Sequence, residues 1–247
     1  MAPLILLSKD IEHILPADEA ATRAGVCFLS KIGSKFTLER TTNADSCSPD
    51  RLLPLVCFNG HLLSGYDALC NALEATKPVK ASVVQLGDSQ TDDSLMLKSM
   101  RRVCLVWLSD VLRNIMLYFT WIHEPTFQSF TVPRTSPNVP WPLSHLVLGN
   151  QRKRYKTYMS SIGWADKRLP DVLAEMEGVC FGVTQLLEPG PYCFGRPEPG
   201  RLDALIYGYW SVFLDFNDIF SPLNQVVASC RPAMELLERL TPSDGKI

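Results

Sequence analysis

The chain opens on a short apolar run, Pro3 to Ser8, that reads as a strand. In the next segment, Ala17 to Ile32, residues Ala20, Ala24, Cys27, Phe28 and Ile32 fall on one face at helical spacing. Phe36 to Arg40 alternates as a half-buried strand does. Arg51 to Phe58 predicts another strand with Pro54 towards its front, Asn59-Gly60 supplies a hairpin signal, His61 to Leu63 is the return strand, and Tyr66 to Glu74 is helical. Residues 77–94 are rich in turn formers and poor in large apolar residues, so they read as a linker between an N-terminal unit, 1–76, and a C-terminal unit, 95–247. Past the linker helical spacing takes over. Helices are expected near 95–123, 143–162, 168–187, 201–214 and 222–240, with proline-rich loops at 124–142 and 188–200. In the second of these helices, positions 147, 155, 158 and 162 share one arc and predict its core face.

Val103 to Ile122 is apolar enough to raise the question of a membrane span. Its only formal charges are Asp110 and Arg113, each costing about 2.5–3.5 kcal/mol at a bilayer centre. The apolar positions 104, 108, 111, 115, 119 and 122 recur at helical spacing, which favours a buried core helix. The opening run is too short to span, and no apolar tail follows the last helix, so no tail anchor is expected. With 46% of its 247 residues hydrophobic and 20% charged, the chain can fill a core. A formal net charge of -2 gives no global field for a nucleic-acid partner, so any basic docking must be local. The eight cysteines are scattered without a CxxC pair and read as reduced thiols. The four histidines lack ligand spacing, so no metal site is expected.

The order β-α-β-loop-β-β-α with Pro54 at the front of a strand resembles a thioredoxin-like half, in which that proline would be cis. Joined to an all-α C-terminal half, it gives the α+β architecture of a glutathione-transferase-like fold. Conjugating chemistry on such a fold needs a hydroxyl or thiol near the sulfur, the proline-bearing backbone, and an acid-plus-serine pair opening the third helix. Ser8 and Pro54 could supply the first two. The third reads Ser64-Gly65 and lacks the acid; Ser8 reads as an ordinary strand-end serine and Ser64 as a helix cap, with a glutathione-dependent enzyme using Ser8 and Pro54 as the rival reading. No phosphate-binding glycine loop, GxSxG elbow or HExxH appears either, so neither a catalytic residue nor a cofactor is expected. Arg152, Lys153, Arg154 and Lys156 form the densest basic run, either a solvated helix face or a docking face for an acidic partner or anionic lipid heads. At Gly200-Arg-Leu-Asp203 the acid stands at the third helical position, where its carboxylate can accept the cap amide, half of a capping box.

The stretch Val139-Pro-Trp141-Pro142-Leu143-Ser-His-Leu-Val, then Ser161-Ile-Gly163-Trp164, and finally Pro191-Tyr192-Cys-Phe194-Gly-Arg-Pro-Glu-Pro-Gly-Arg-Leu202-Asp203-Ala204-Leu205-Ile-Tyr-Gly208 resemble the metaxin family, its metaxin-2 branch in particular. The likeness runs in matching order over about residues 4 to 235 and is strongest from 139 to 210. It implies a transferase-like fold without transferase chemistry. It also implies a peripheral subunit on the cytosolic face of the mitochondrial outer membrane, in the sorting and assembly machinery that inserts β-barrel precursors. The implied partners are a metaxin-1-like subunit and the β-barrel assembly core protein. Trp141, Pro142, Leu143 and Trp164 are the interface candidates, as large apolar and aromatic residues in or beside a proline-rich loop; the alternative is that both tryptophans close the helical core.

Overall fold

A computed structural model describes residues 4–58, 60–75, 95–135 and 143–241. The linker expected at 77–94 lies outside the described residues, as do Trp141 and Pro142.

The N-terminal half is a four-stranded sheet in the order β2-β1-β3-β4. Strand β1, Leu4–Ser8, alternates buried and half-buried positions, as a strand covered unequally on its two faces should. Helix α1, Pro16–Lys31, follows; Pro16 sits in the first turn, where a missing amide costs nothing, and Asp18 and Glu19 meet the positive end of the helix dipole. The chain returns as β2, Phe36–Arg40, parallel to β1 with Leu4 opposite Phe36 and Ser8 opposite Arg40. After a single turn, α2 at Ala44–Cys47, come the antiparallel strands β3, Leu55–Phe58, and β4, His61–Ser64. Strand β3 is shorter than the sequence predicts, because it starts after the cis Leu53–Pro54 peptide and a positive φ of 56° at Arg51. Helix α3, Gly65–Ala75, closes the half.

The C-terminal half is helical. Helix α4, Leu95–Leu117, continues through a π turn at Tyr118–Ile122. The expected loop after it is helical up to residue 135: α5 at Glu124–Thr126, a second π turn at Phe127–Thr131, and α6 at Val132–Thr135. Pro125 marks a loop in sequence, yet it stands in a first turn, where it is harmless. The Thr131 hydroxyl, donating to Thr120 O at 2.6 Å, straps this segment to the end of the preceding turn. Then follow α7, Leu143–Ser161; α8, Leu169–Leu187; α9, Arg201–Asp215; α10, Asn224–Ser229; and α11, Arg231–Leu240. The single helix expected at 222–240 is broken at Cys230, because Pro232 can be accommodated only in the first turn of a new helix.

The core face of α7 differs from the predicted one. Leu148 and Met159 are its buried residues, Tyr155 stacks on Trp121 with ring centroids 4.4 Å apart, and Val147, Tyr158 and Ile162 stay partly exposed. The helix is rotated so that an aromatic stack, rather than the run of apolar residues, faces inward. One hydrophobic cluster runs through both halves, from Leu6 and Ala20 across Ile206 and Trp210 to Leu236.

Candidate functional site

The seam between the halves positions the residues where transferase-like chemistry would sit. Helix α9 lies along α1 in the most extensive contact between two elements among the described residues. Gly208 makes it possible: a Cβ there would stand 2.4 Å from Ala20 O and 2.7 Å from Ala24 N, so only a glycine opposite two alanines lets the backbones approach. At one end of the seam Glu19, 4% exposed, accepts from Arg23 Nε at 3.0 Å and from both terminal nitrogens of Arg40 at 3.1 and 3.2 Å. Arg23 also reaches Asp215 at the end of α9, at 2.5 Å. A buried carboxylate is sustained here because two guanidiniums saturate it. At the other end Tyr66 donates to Arg201 O at 2.6 Å, and Arg201 pairs with Glu74 at 2.8 Å.

Asp203 opens α9 from within the core, 1% exposed. Its Oδ2 accepts the Gly200 amide at 2.8 Å, and its Oδ1 accepts the Cys193 amide, also at 2.8 Å. Burial pushes this carboxyl up while the two amides pull it back. It therefore caps the helix and holds the 188–200 loop at once.

The positions where conjugating chemistry would sit are spent internally. Ser8 is fully buried, its Oγ 2.9 Å from Thr22 Oγ1, and Thr22 already donates to Asp18 O at 2.8 Å. The Ser8 proton must therefore go to Thr22, and none is left for a thiolate. Pro54 is buried against α1, its Cγ 3.5 Å from where a Cβ on Gly25 would lie, and its carbonyl accepts the Gly65 amide at 2.9 Å. The Ser64 hydroxyl stands 3.0 Å from that of Ser48, which donates to Leu52 O at 2.9 Å. Burial pushes the thiols of Cys27 and Cys70 up to about 12, leaving them protonated and unreactive. Cys180 Sγ donates to Val226 O at 3.7 Å and Cys230 Sγ to Cys180 O at 3.8 Å, and both thiols are buried. Among the described residues no three His, Cys, Asp or Glu side chains gather as metal ligands.

Two clefts open along the seam. One of about 360 Å³ lies between the end of β1 with the starts of α1 and α2 on one side and α7 on the other, lined by Lys9, Asp18, Asp45, Arg51, Arg154 and Tyr155 among others. Lys9 pairs with Asp45 at 2.9 Å. Burial pushes Asp18 up to about 6, against the pull of Arg113 and Lys9. The other, of about 570 Å³, lies between α3, the start of α4 and the 193–203 segment, with Lys98, Arg101, Arg102, Arg196 and Arg201 on its walls. Neither contains the hydroxyl of Ser8.

The candidate interface residues separate. Leu143 is 54% exposed at the start of α7, beside exposed Leu146 and part-exposed Val147. Trp164 is buried and belongs to the core, with Lys167 Nζ 4.4 Å from its ring centre. The basic run does not form one face. Arg152 is bound to Glu124 and lies 3.7 Å over the Phe127 ring, pulling the Glu124 carboxyl down to about 2. Lys153, Arg154 and Lys156 are exposed, but neighbours along a helix point about 100° apart, and Arg154 faces the smaller cleft. The sequence reading missed the exposed face of α4, where Met96, Met100, Val103, Val106 and Trp107 meet solvent, and Phe181 on α8. A signal existed for Phe181: it lies off the buried stripe Val172, Met176, Val179, Val183.

Residues 24–152, just over half of the chain, match the model of the family described as outer mitochondrial membrane transport complex protein, Tom37. Over 198 residues, 80% of this chain, it is 28% identical to metaxin-2 of Mus musculus and to metaxin-2 of Homo sapiens, covering 72% of each. Over the same length it is 24% identical to the metaxin-2 homolog of Caenorhabditis elegans, covering 82% of it. Among solved structures a glutathione transferase of Phanerochaete chrysosporium superposes with a TM-score of 0.50 at 12% identity, over 94% of this chain and 98% of the other, which makes the fold glutathione-transferase-like.

Proposed function

The chain belongs to the outer mitochondrial membrane transport complex family, Tom37, and on that premise we propose that it is a non-enzymatic, peripheral subunit of the sorting and assembly machinery on the cytosolic face of that membrane. In this reading it supports insertion of β-barrel precursors by contacting a metaxin-1-like subunit and the barrel core. The observation that carries the non-enzymatic part is the Ser8–Thr22–Asp18 chain, which consumes the one hydroxyl placed to stabilise a glutathione thiolate. The partner surface is the start of α7, where Leu143, Leu146 and Val147 stand exposed next in sequence to Trp141 and Pro142. Lys153, Arg154 and Lys156 add charge along the same helix. They are worth about 1 kcal/mol each at an anionic surface, too little to hold the chain without protein contacts.

Fractionation of intact mitochondria tests this. Protease added outside the organelle should digest the chain, alkaline carbonate should release it and moderate salt should not. Loss of the metaxin-1-like partner should leave it degraded or released by moderate salt. Protection from external protease, or retention in the carbonate pellet without the partner, would contradict the peripheral cytosolic placement.

A further inference from the structure

Helix α4 is two helices in one. From Leu108 onwards its inward positions are sealed in the core, as at Leu112, Ile115 and Met116. Over the first turns Met96, Met100, Val103 and Trp107 recur at i, i+4, i+7 and i+11, a helical stripe that faces out, with Met96 72% and Val103 66% exposed. Leu95 and Val106 widen it. The stripe extends onto α8: a Cβ on Gly182 would stand 2.8 Å from the Trp107 ring, so the indole lies on the α8 backbone next to Phe181, itself 71% exposed. A contiguous apolar surface of this kind on a folded chain marks a contact site.

The charges around it indicate what it contacts. Residues 95–107 hold Lys98, Arg101 and Arg102 and no acid. Lys98 and Arg102 are exposed, pair with no carboxylate among the described residues, and follow one another at i, i+4 along the edge that opens onto the larger cleft. The next acid along α4, Asp110, stands beyond the far end of the stripe, while Asp67 and Glu74 lie on the α3 wall of the larger cleft, Glu74 paired with Arg201. The stripe is thus apolar in the middle and cationic along one edge, with an indole at its border and no acid of its own, the cleft's acids belonging to α3. This is the pattern of a helix lying in the headgroup region of an anionic bilayer, where long basic side chains reach phosphates while their stems stay on the apolar side. The window 95–122 is also hydrophobic enough by composition to cross a membrane, yet the core occupies more than half of its best stretch. It can be offered to lipid only along one face.

We propose that the first four turns of α4, with Phe181, form a lipid-contact face that seats the chain on an anionic membrane surface. The inference rests on the outer-membrane reading above and assigns the lipid contact to α4 rather than to the basic run of α7.

Flotation of the purified full chain with vesicles of phosphatidylcholine, with or without phosphatidylinositol, tests it. The expected result is binding to the anionic vesicles only, weakened by salt. Val103→Glu with Met100→Glu should abolish it, and each of Lys98→Ala and Arg102→Ala should weaken it about five-fold. All four sites are exposed, and circular dichroism checks that the variants fold. An Arg154→Ala control should bind as the wild type. No binding to either vesicle overturns the proposal. So does a concentration-dependent dimer, seen by sedimentation and dispersed by Val103→Glu, with vesicle binding absent; that result makes a second copy the occupant. If the vesicle result is negative while the chain still fractionates with the outer membrane, the lipid face alone fails. If vesicles bind but the chain is absent from mitochondria, the outer-membrane reading fails instead.

Discussion

Helices α1 and α9 meet through two alanines and a glycine, with the buried Glu19 carboxylate answered by two guanidiniums; the first turns of α4 carry larger apolar side chains and bury almost none of them. Apolar character alone does not separate the two regions. What separates them is backbone approach: the seam removes side chains so that main chains can touch, and the α4 face retains side chains that nothing in the described chain covers. The seam is where this fold is decided, and among the described residues the α4 face stays uncovered.

The contrast is broken most severely at Gly208. In an ordinary helix interior Gly→Ala is stabilising, by about 1 kcal/mol. Here the new Cβ would meet the backbone of α1, and Gly208→Ala should cost about 3 kcal/mol or prevent folding. Urea unfolding of the purified chain measures it, and a stabilised variant would show that the seam is looser than described. Next comes Asp203→Ala, which strands two amides in a buried site and should cost about 2 kcal/mol, while Asp203→Asn keeps one acceptor and should lose less. Equal losses for the two would mean that the paired amides are not the cause.

Asp18 gives a smaller effect with a sign that depends on pH. Its folded value, about 6, lies above the ordinary 3.8, so between the two the folded chain binds a proton that the unfolded chain has released. Its contribution is present below about 4 and lost as pH rises through about 6. Asp18→Asn should therefore be more stable than the wild type at neutral pH, by about 1 kcal/mol after allowance for the side chain's partial exposure, and the gain should vanish towards pH 4. Thermal midpoints across that window would show it, and parallel curves would refute it. Smallest of all should be Val103→Ser or Met100→Ser on α4, within about 0.5 kcal/mol of wild type, because an exposed side chain gives the fold little. A loss like that at the seam would mean that α4 is covered by this chain itself.

Much of the fold was legible because its signals are local. The alternation at 36–40, the periodicity of α1 and α8 and the acid three residues past Gly200 each depend on neighbours in sequence. What was not legible depends on distant partners. The 124–135 segment reads as a loop because of its prolines, and it is helical because Thr131 ties back to Thr120. The α7 face is set by Tyr155 stacking on Trp121, a contact no periodicity shows. The hydrogen bond that holds the Ser8 hydroxyl is made to a threonine fourteen residues away on α1. Gly208 stood within the family pattern, but its reason, a close approach to Ala20 and Ala24, is visible only in three dimensions.

The central claim is membership of an outer-membrane assembly complex without chemistry of its own. Affinity capture of the full chain from detergent-solubilised mitochondria, with the captured proteins identified, tests it most directly. The expected result is recovery of a metaxin-1-like subunit together with a β-barrel core protein. Recovery of soluble cytosolic proteins alone, with no outer-membrane component, would contradict it.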